Sequence, residues 1–216
     1  MIDFKVHLEN DIVSLVQTQE NHFEGLYTVG MNPVIWEQHQ NQDRWELNNF
    51  RKYIDGGLNN KEGCFTIIDK KINKIIGTTR YYSFNQEELS IKIGYTFISQ
   101  DYWGTKMNYQ IKKLMLDYIF QFLDKVYFEI SKTNFRSQKS IEKIGGKLSL
   151  KENDKYSYLI EKKFGKTLSP LNPKIFDILN IKFSSFHFTM IDSYIIKTHK
   201  WFQFFITSKT NSVTVE

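Results

Sequence analysis

The residues best suited to chemistry form a short loop, residues 101–106, that opens a helix. The loop contains one glycine, Gly104, and one free cation, Lys106. The first turn of a helix has backbone N–H groups without intrahelical partners, and the helix dipole adds partial positive charge there. Such a turn binds phosphate oxygens, because the glycine lets the backbone come close and the lysine adds a mobile charge. The loop is neither a Walker A loop nor a GxGxxG fingerprint, since the required glycines are missing.

A strand before the loop and a helix after it must position this site. Residues 89–97 alternate between apolar and polar or small side chains, which predicts a strand. Residues 107–122 carry apolar side chains on one helical face. A second alternating run, residues 125–131, predicts another strand, and Asn134 is then a good N-cap for a helix at 135–144.

The other elements follow from the same periodicities. Asp43 and Glu46 fit a capping box, which predicts that the second helix begins at Asp43 and ends near Gly56 and Gly57. The remaining predicted elements are a strand at 12–16, a helix at 21–29, a polar loop at 31–43, and hairpins at 64–68 with 74–82 and at 147–151 with 155–161.

Four short motifs occur in an order and spacing that resemble one family. They are Ile93-Gly94-Tyr95-Thr96-Phe97, Tyr102-Trp103-Gly104-Thr105-Lys106, Thr133-Asn134-Phe135-Arg136-Ser137 and Ile141-Glu142-Lys143-Ile144-Gly145-Gly146. In these motifs the chain resembles the GNAT family of acetyl-CoA-dependent N-acyltransferases, and within it the ribosomal-protein-alanine (RimJ/RimL-like) branch.

The resemblance implies an α+β fold in α/β/α layers. Its sheet is mixed and mostly antiparallel, is flanked by helices, and contains a central parallel strand pair that splays apart. The implied GNAT domain spans residues 6–163, and residues 164–216 form a C-terminal extension of unknown role. The pantetheine arm of acetyl-CoA would insert where the strands splay. The residues expected to bind acetyl-CoA are Phe97, Ile98, Trp103, Gly104, Thr105, Lys106, Met107, Asn108 and Asn134.

The resemblance also suggests how the proton transfers are managed. A backbone N–H near Phe97 would polarise the thioester carbonyl, and Ser137 would lie near the thiol and protonate it. Many members of the branch carry a glutamate as general base directly before the Ile-Gly-Tyr motif, but here that residue is Lys92. The candidate substitutes are Glu37, His39, Glu88 and Glu129, and of these Glu37 and Glu129 are predicted to be catalytic together with Ser137.

Alternatives remain open for several of these residues. Asn134 could act only as a helix cap and Ser137 only as a packing residue. Trp36, Glu37 and His39 would face the acceptor substrate if the helices around the 31–43 loop form a wall of its site, or would belong to an ordinary surface loop. Asp101 replaces the basic or amide residue of the family's phosphate loop, which should weaken phosphate binding slightly if its side chain faces the ligand.

Composition limits the other classes of function. The net charge of +5 and a pI near 9.0 favour acidic ligands without giving a nucleic-acid signature, so no DNA partner is expected. A single cysteine, Cys64, excludes an internal disulfide framework, and no apolar run approaches the roughly 18 residues of a membrane span. His187 and His199 lack metal-ligand spacing, so no metal is expected. A cytoplasmic protein is predicted, and homodimerisation stays open.

These observations lead to one main hypothesis and two alternatives. The main hypothesis is an N-acetyltransferase that transfers an acetyl group from acetyl-CoA to a primary amine, either a protein N-terminus or a small molecule. The amine would attack the thioester directly in a ternary complex. The alternatives are an acyl-CoA-binding protein of the same fold without turnover, and a ribosome- or RNA-associated protein, which would bind RNA with a steep salt dependence.

Overall fold

One eight-stranded sheet forms the centre of the computed structural model, which describes residues 2–162. Its spatial order is β1-β2-β3-β4-β5-β6-β8-β7, and the only parallel neighbours among these strands are β5 and β6. The strands are β1 (Leu8–Glu9), β2 (Val13–Gln17), β3 (Cys64–Asp69), β4 (Lys74–Asn85), β5 (Ser90–Ile98), β6 (Lys125–Ser131), β7 (Lys147–Lys151) and β8 (Lys155–Glu161). The helices are α1 (Phe23–Gly30), α2 (Leu47–Leu58), α3 (Met107–Ile119) and α4 (Phe135–Lys143).

Two apolar clusters hold the helices against the sheet. The larger cluster joins α3, through Ile111 and Met115, to Ile91 and Ile93 of β5. The smaller cluster joins α1 and α2 to Phe97, which also lies on β5. Side chains of a regular strand alternate between faces, so Phe97 should share the face of Ile91 and Ile93. Something between Ile93 and Phe97 must therefore shift the alternation.

That shift is a β-bulge at Tyr95 and Thr96. In the β4–β5 register, Thr78 pairs with Phe97 and Arg80 with Gly94, so two residues of β5 oppose the single residue between them on β4. Tyr95 has a left-handed backbone, with φ of 48°. Its carbonyl oxygen accepts a hydrogen bond from the hydroxyl of Tyr53 on α2. The bulge therefore turns β5 and depends on α2 for support.

The parallel pairing between β5 and β6 is short. It runs from Ser90 opposite Lys125 to Lys92 opposite Tyr127 and then stops. Beyond that point β6 stays paired with β8 as far as Ser131 opposite Lys155. The edges of β5 and β6 that face each other therefore open into a gap, which confirms the expected splayed pair and the predicted fold class.

Most predicted elements are confirmed, with two differences. The helix predicted to start at a capping box on Asp43 begins instead at Leu47, with Glu46 as N-cap, because residues Gln42–Trp45 form a 3-10 turn. That prediction was wrong: the Asp43 carboxylate accepts a hydrogen bond from the Asn49 side chain, 3.0 Å away. The two-residue strand β1 was not predicted, because a pair of residues shows no periodicity. The C-terminal extension, with His187 and His199, lies outside the described residues.

No helix among residues 2–162 is long and apolar enough to cross a membrane.

The close approach of β4 and β5 makes a stability prediction at Gly77. A Cβ atom there would collide with the Phe97 carbonyl oxygen and lie 2.9 Å from the Ile98 Cα, and backbone atoms cannot move aside cheaply. We expect Gly77→Ala to lower the free energy of unfolding by about 1–3 kcal/mol in urea titrations. The control is Gly56→Ala in α2, where the nearest atom is a flexible Arg80 nitrogen at 3.5 Å. Equal stability of the two variants would contradict this packing.

Candidate active site

The gap between β5 and β6 opens into a cleft of about 780 Å³. Its walls are the bulged half of β5, the free edge of β6, the 102–106 loop, and the faces of α3 and α4 that look toward each other. Glu129 is the one carboxylate among the described residues that line it. The basic side chains that line it are Arg44, Lys106, Lys112, Arg136, Lys139, Lys143 and Lys155. So strong an excess of positive charge attracts a polyanionic ligand.

The predicted phosphate loop lies at one end of this cleft. Gly104 has a left-handed φ of 75°, a conformation that glycine adopts without steric cost, and no atom lies within 4 Å of where its Cβ would be. The Thr105 hydroxyl accepts a hydrogen bond from the Met107 N–H (3.1 Å), the start of α3. Asp101 does not line the cleft; its carboxylate accepts a hydrogen bond from Ser99 instead. The loop therefore offers its backbone N–H groups and Lys106 to an anion, and its own carboxylate, Asp101, stays outside the cleft lining.

The structure brings together nearly all the residues predicted to bind the cofactor. Met107 is the exception, because its side chain packs in the larger apolar cluster. The predicted residues that line the cleft are Phe97, Ile98, Trp103, Gly104, Thr105, Lys106, Asn108 and Asn134.

The oxygen and the nitrogen of the Asn134 side-chain amide differ in their hydrogen bonding. Asn134 is only 4% exposed, and its Oδ1 accepts a hydrogen bond from the Ser137 N–H (3.0 Å), so its role as the N-cap of α4 is confirmed. Within residues 2–162 its Nδ2 donates to no partner, although the residue lines the cleft. Ser137 also lines the cleft. A ligand in the cleft can therefore use the Asn134 amide without disturbing the cap.

Arg136 connects the two ends of the site and was not singled out from the sequence. Its guanidinium carbon lies 3.6 Å from the centroid of the Trp103 ring. Its Nη2 donates to the Ile35 carbonyl oxygen (3.1 Å), and its backbone N–H donates to the Gln38 side chain (3.1 Å). The start of α4 is thus bound both to the phosphate loop and to the 31–43 loop. A sequence signal for it would have been an arginine two residues after a cap.

The candidate bases fall in different places. Glu129 lines the cleft and forms an ion pair with Lys92, the residue at the family's usual glutamate position. Glu37 is exposed and is not among the cleft residues. Glu88 also lies outside the cleft, on the β4–β5 connection, where its carboxylate accepts from the Ser90 hydroxyl (3.3 Å). Glu129 is therefore the one of these carboxylates that the fold brings to the cleft.

His39, in the 31–43 loop, lines the cleft as a neutral ring. Its imidazole packs edge-on against Trp36, with ring centroids 5.2 Å apart. Burial, and then the charges of Arg44 and Arg136, lower the pKa of His39 to about 4. At neutral pH the ring therefore carries no charge and is a weak base.

The lowered pKa predicts a pH dependence of stability. Because the folded pKa lies below the ordinary value of 6.5, the unfolded chain binds the His39 proton more readily between pH 6.5 and about 4. Acidification through this window should lower the free energy of unfolding, by up to about 1.4 kcal/mol per pH unit from this group. In urea titrations from pH 7 to 4, His39→Gln should show a shallower slope than the wild type. A slope for His39→Gln identical to that of the wild type would contradict the assignment.

Comparisons with known proteins agree with this geometry. The family model described as "Acetyltransferase (GNAT) domain" matches residues 13–147, more than half of the chain. No curated protein matches the chain. A proposed acetyltransferase from T. thermophilus is 20% identical with a TM-score of 0.64, covering 75% of this chain and 92% of its own.

Two further solved structures share the fold. The ribosomal-protein-S5-alanine acetyltransferase of Vibrio fischeri is 16% identical with a TM-score of 0.57, covering 74% of this chain and 98% of its own. The spermidine N-acetyltransferase of Vibrio cholerae, solved with CoA and spermine, is 15% identical with a TM-score of 0.56, covering 70% and 96%. At identities of 20% or less, these solved structures show the fold alone. Because the family model matches more than half of the chain, the chain belongs to the GNAT family of acetyl-CoA-dependent N-acetyltransferases.

Proposed function

We propose that this enzyme acetylates the α-amine of a protein or peptide N-terminus, as in the ribosomal-protein-alanine branch, by direct attack on acetyl-CoA in a ternary complex. The observation that carries the proposal is the cation-lined gap between β5 and β6, with Glu129 as the carboxylate within it. The gap offers a place for the cofactor, and Glu129 offers a place for the acceptor's proton.

The residues of the gap fit acetyl-CoA. The unpaired strand edges beyond Lys92 and Tyr127 leave backbone N–H and C=O groups that the amides of the pantetheine arm can satisfy. The Asn134 Nδ2 is a further donor that lacks a partner in the described part of the chain. Lys106 and the first turn of α3 would hold the pyrophosphate. When bound, the coenzyme supplies the activated thioester carbonyl.

We assign the base to Glu129 and the acid to Ser137. Glu129 would take the proton that the acceptor ammonium must lose, directly or through one water, and Lys92 would hold the carboxylate in place. Ser137 would return a proton to the departing thiolate or position it. We prefer Glu129 to Glu37 because Glu37 does not line the cleft, and to His39 because a pKa of about 4 makes the imidazole a weak base.

The charges at the acceptor end favour a peptide over a polyamine. Arg44 lies there, stacked 5.0 Å from the Tyr53 ring, and Lys155 lines the same cleft. A polycation such as spermidine would be repelled by these basic side chains, and Glu129 is the negative charge in the lining that would offset the repulsion. A peptide N-terminus brings a single ammonium group and is repelled less. The solved relatives include an enzyme named for ribosomal protein S5 alanine and one named for spermidine, so both acceptor classes occur on this fold.

Cofactor binding can be separated from the helix cap at Asn134. Acetyl-CoA at 100 times its dissociation constant should stabilise the wild type by about 2.7 kcal/mol, raising the thermal midpoint. Asn134→Ser keeps a capping oxygen but removes the amide N–H, so the unliganded midpoint should stay close to the wild type and the ligand-induced rise should shrink. Adenosine diphosphate alone should give a smaller rise that does not depend on this substitution. An undiminished rise with acetyl-CoA in Asn134→Ser would assign Asn134 to the cap alone.

The role of Glu129 can be tested with its own ion-pair partner as the control. We expect Glu129→Gln to lower kcat/KM for an alanine-terminated peptide by about 10²-fold or more at pH 7, with partial recovery at higher pH, where more acceptor is already neutral. Lys92→Gln keeps the carboxylate and should lose far less. Equal losses in both variants would show that the ion pair matters and that Glu129 is not the base.

The acceptor class can be tested with a panel of amines that includes an alanine-terminated peptide and spermidine, with the acetylated products identified by mass spectrometry. Faster transfer to spermidine than to the peptide would overturn the proposed acceptor class.

A further inference from the structure

Lys112 is a buried lysine in the wall of the cleft that the proposed reaction does not use. It lies on α3, is 3% exposed, and still lines the cleft. Its Nζ donates to the hydroxyls of Thr96 on β5 (2.8 Å) and Thr79 on β4 (3.2 Å). The Phe128 ring of β6 has its centroid 5.9 Å away. The amine therefore sits where the two splayed strands separate.

The bulge explains how the amine comes to be there. Because Tyr95 and Thr96 oppose the single residue Thr79, the Thr96 and Thr79 hydroxyls come within 2.7 Å of each other. Lys112 bonds to both, so its Nζ is held at the bulge itself rather than elsewhere along α3. Two hydroxyls cannot use all three N–H groups of an ammonium, which leaves one donor for a further partner.

No carboxylate compensates this charge within the described residues. Lys112 has no ion pair there, and Glu129, the acid of the cleft lining, is paired with Lys92. Burial alone lowers the pKa of Lys112 to about 7. The other titratable or charged groups that line the cleft are His39, Arg44, Lys106, Tyr82, Tyr95, Tyr102, Tyr109, Glu129, Arg136, Lys139, Lys143 and Lys155. An apolar side chain would be cheaper to bury here than an amine without a counter-charge.

We propose that Lys112 is a binding residue for the acyl-CoA arm, donating its free N–H to a carbonyl oxygen of the arm in the gap between β5 and β6, and that Nζ takes up a proton when the arm binds. This inference rests on the proposed use of the gap by acetyl-CoA. It adds Lys112 as a binding residue and the uptake of a proton on binding. A hydrogen bond accepted by the ligand favours the charged amine, because it supplies the partner that the free protein lacks.

The sign of the resulting pH dependence follows from linkage. A ligand that stabilises the ammonium raises the pKa of Lys112 from about 7 in the free protein to a higher value in the complex. Above pH 7 the free protein has lost this proton and the complex regains it, so uptake should approach one proton per acetyl-CoA at pH 8. Affinity should then fall by up to tenfold per pH unit until the pH passes the pKa in the complex.

The test is calorimetric titration of the full chain with acetyl-CoA at pH 8, in HEPES and in Tris, two phosphate-free buffers whose different ionisation enthalpies report proton uptake. Wild type should take up more protons than Lys112→Met, with a difference approaching one, and Lys112→Met should bind about tenfold more weakly at pH 7. The matched control is Lys113→Met, which removes the neighbouring exposed lysine and should behave as the wild type. The thermal midpoint of unliganded Lys112→Met should equal or exceed that of the wild type, since a buried amine is replaced by an apolar side chain.

The outcomes separate this inference from the proposed function. If neither the wild type nor the two lysine variants bind acetyl-CoA, the proposed use of the gap is wrong. If wild type and Lys112→Met bind with equal affinity and equal proton uptake, cofactor use stands and the role of Lys112 is overturned. If Lys112→Met does not fold, nitrogen NMR of the wild-type lysine side chains decides: the pKa of Lys112 must rise on adding acetyl-CoA, and an unchanged or lower pKa overturns the inference. Acetylation of Lys112 itself, seen by mass spectrometry as an acetyl adduct on that residue, would also overturn it by making the amine an acceptor.

Discussion

The bulge in β5 is the constraint on which the site depends. The pairing of β5 with β6 ends at Lys92, just before the bulge, and the cleft lies where the two strands have separated. The two bulged residues, Tyr95 and Thr96, turn the strand, and α2 holds the turn through the Tyr53 hydroxyl. Arg80 supports it as well, with its guanidinium over the rings of Tyr53 and Tyr95 at 4.6 and 4.7 Å. The strained backbone at Tyr95 is thus stabilised by packing from a different part of the chain.

The bulge also decides which side chains of β5 point to each face of the sheet. Ile93 packs toward α3, but Phe97 packs toward α1 and α2, because the alternation shifts between them. Thr96 is thereby available to Lys112, which approaches from α3. Lys92 lies before the bulge, at the last registered position of β5, and forms its ion pair with Glu129, two residues beyond its register partner Tyr127 on β6. Positions within one nine-residue strand therefore serve the core, the cleft and the ion pair.

Local signals predicted much of the fold and the ends of the site. The hairpin of β3 and β4, the strand β6, the start of α3 and the cap at Asn134 all follow from periodicity and capping within a few residues of sequence. The bulge could not be predicted this way, because residues 89–97 alternate without interruption and the register shift is decided by β4 and α2. The pairing of Lys92 with Glu129 joins residues 37 positions apart and needs the register of β5 and β6. Lys112 was missed because a lysine beside apolar helix positions is usually solvated, and only the surrounding strands bury it.

The contacts of Arg136 have a consequence for how the two substrates communicate. Its side chain stacks on Trp103 in the 102–106 loop and donates to the Ile35 carbonyl oxygen in the 31–43 loop, and its backbone N–H donates to the Gln38 side chain. Loops that share an anchor share its freedom of movement, so ordering one of them removes part of the entropy that the other would otherwise lose. Thermodynamic reciprocity then requires that each substrate raise the binding affinity of the other by the same factor. If acetyl-CoA orders the 102–106 loop and the acceptor orders the 31–43 loop, Arg136 is the contact through which binding of one substrate would favour binding of the other without any change of fold.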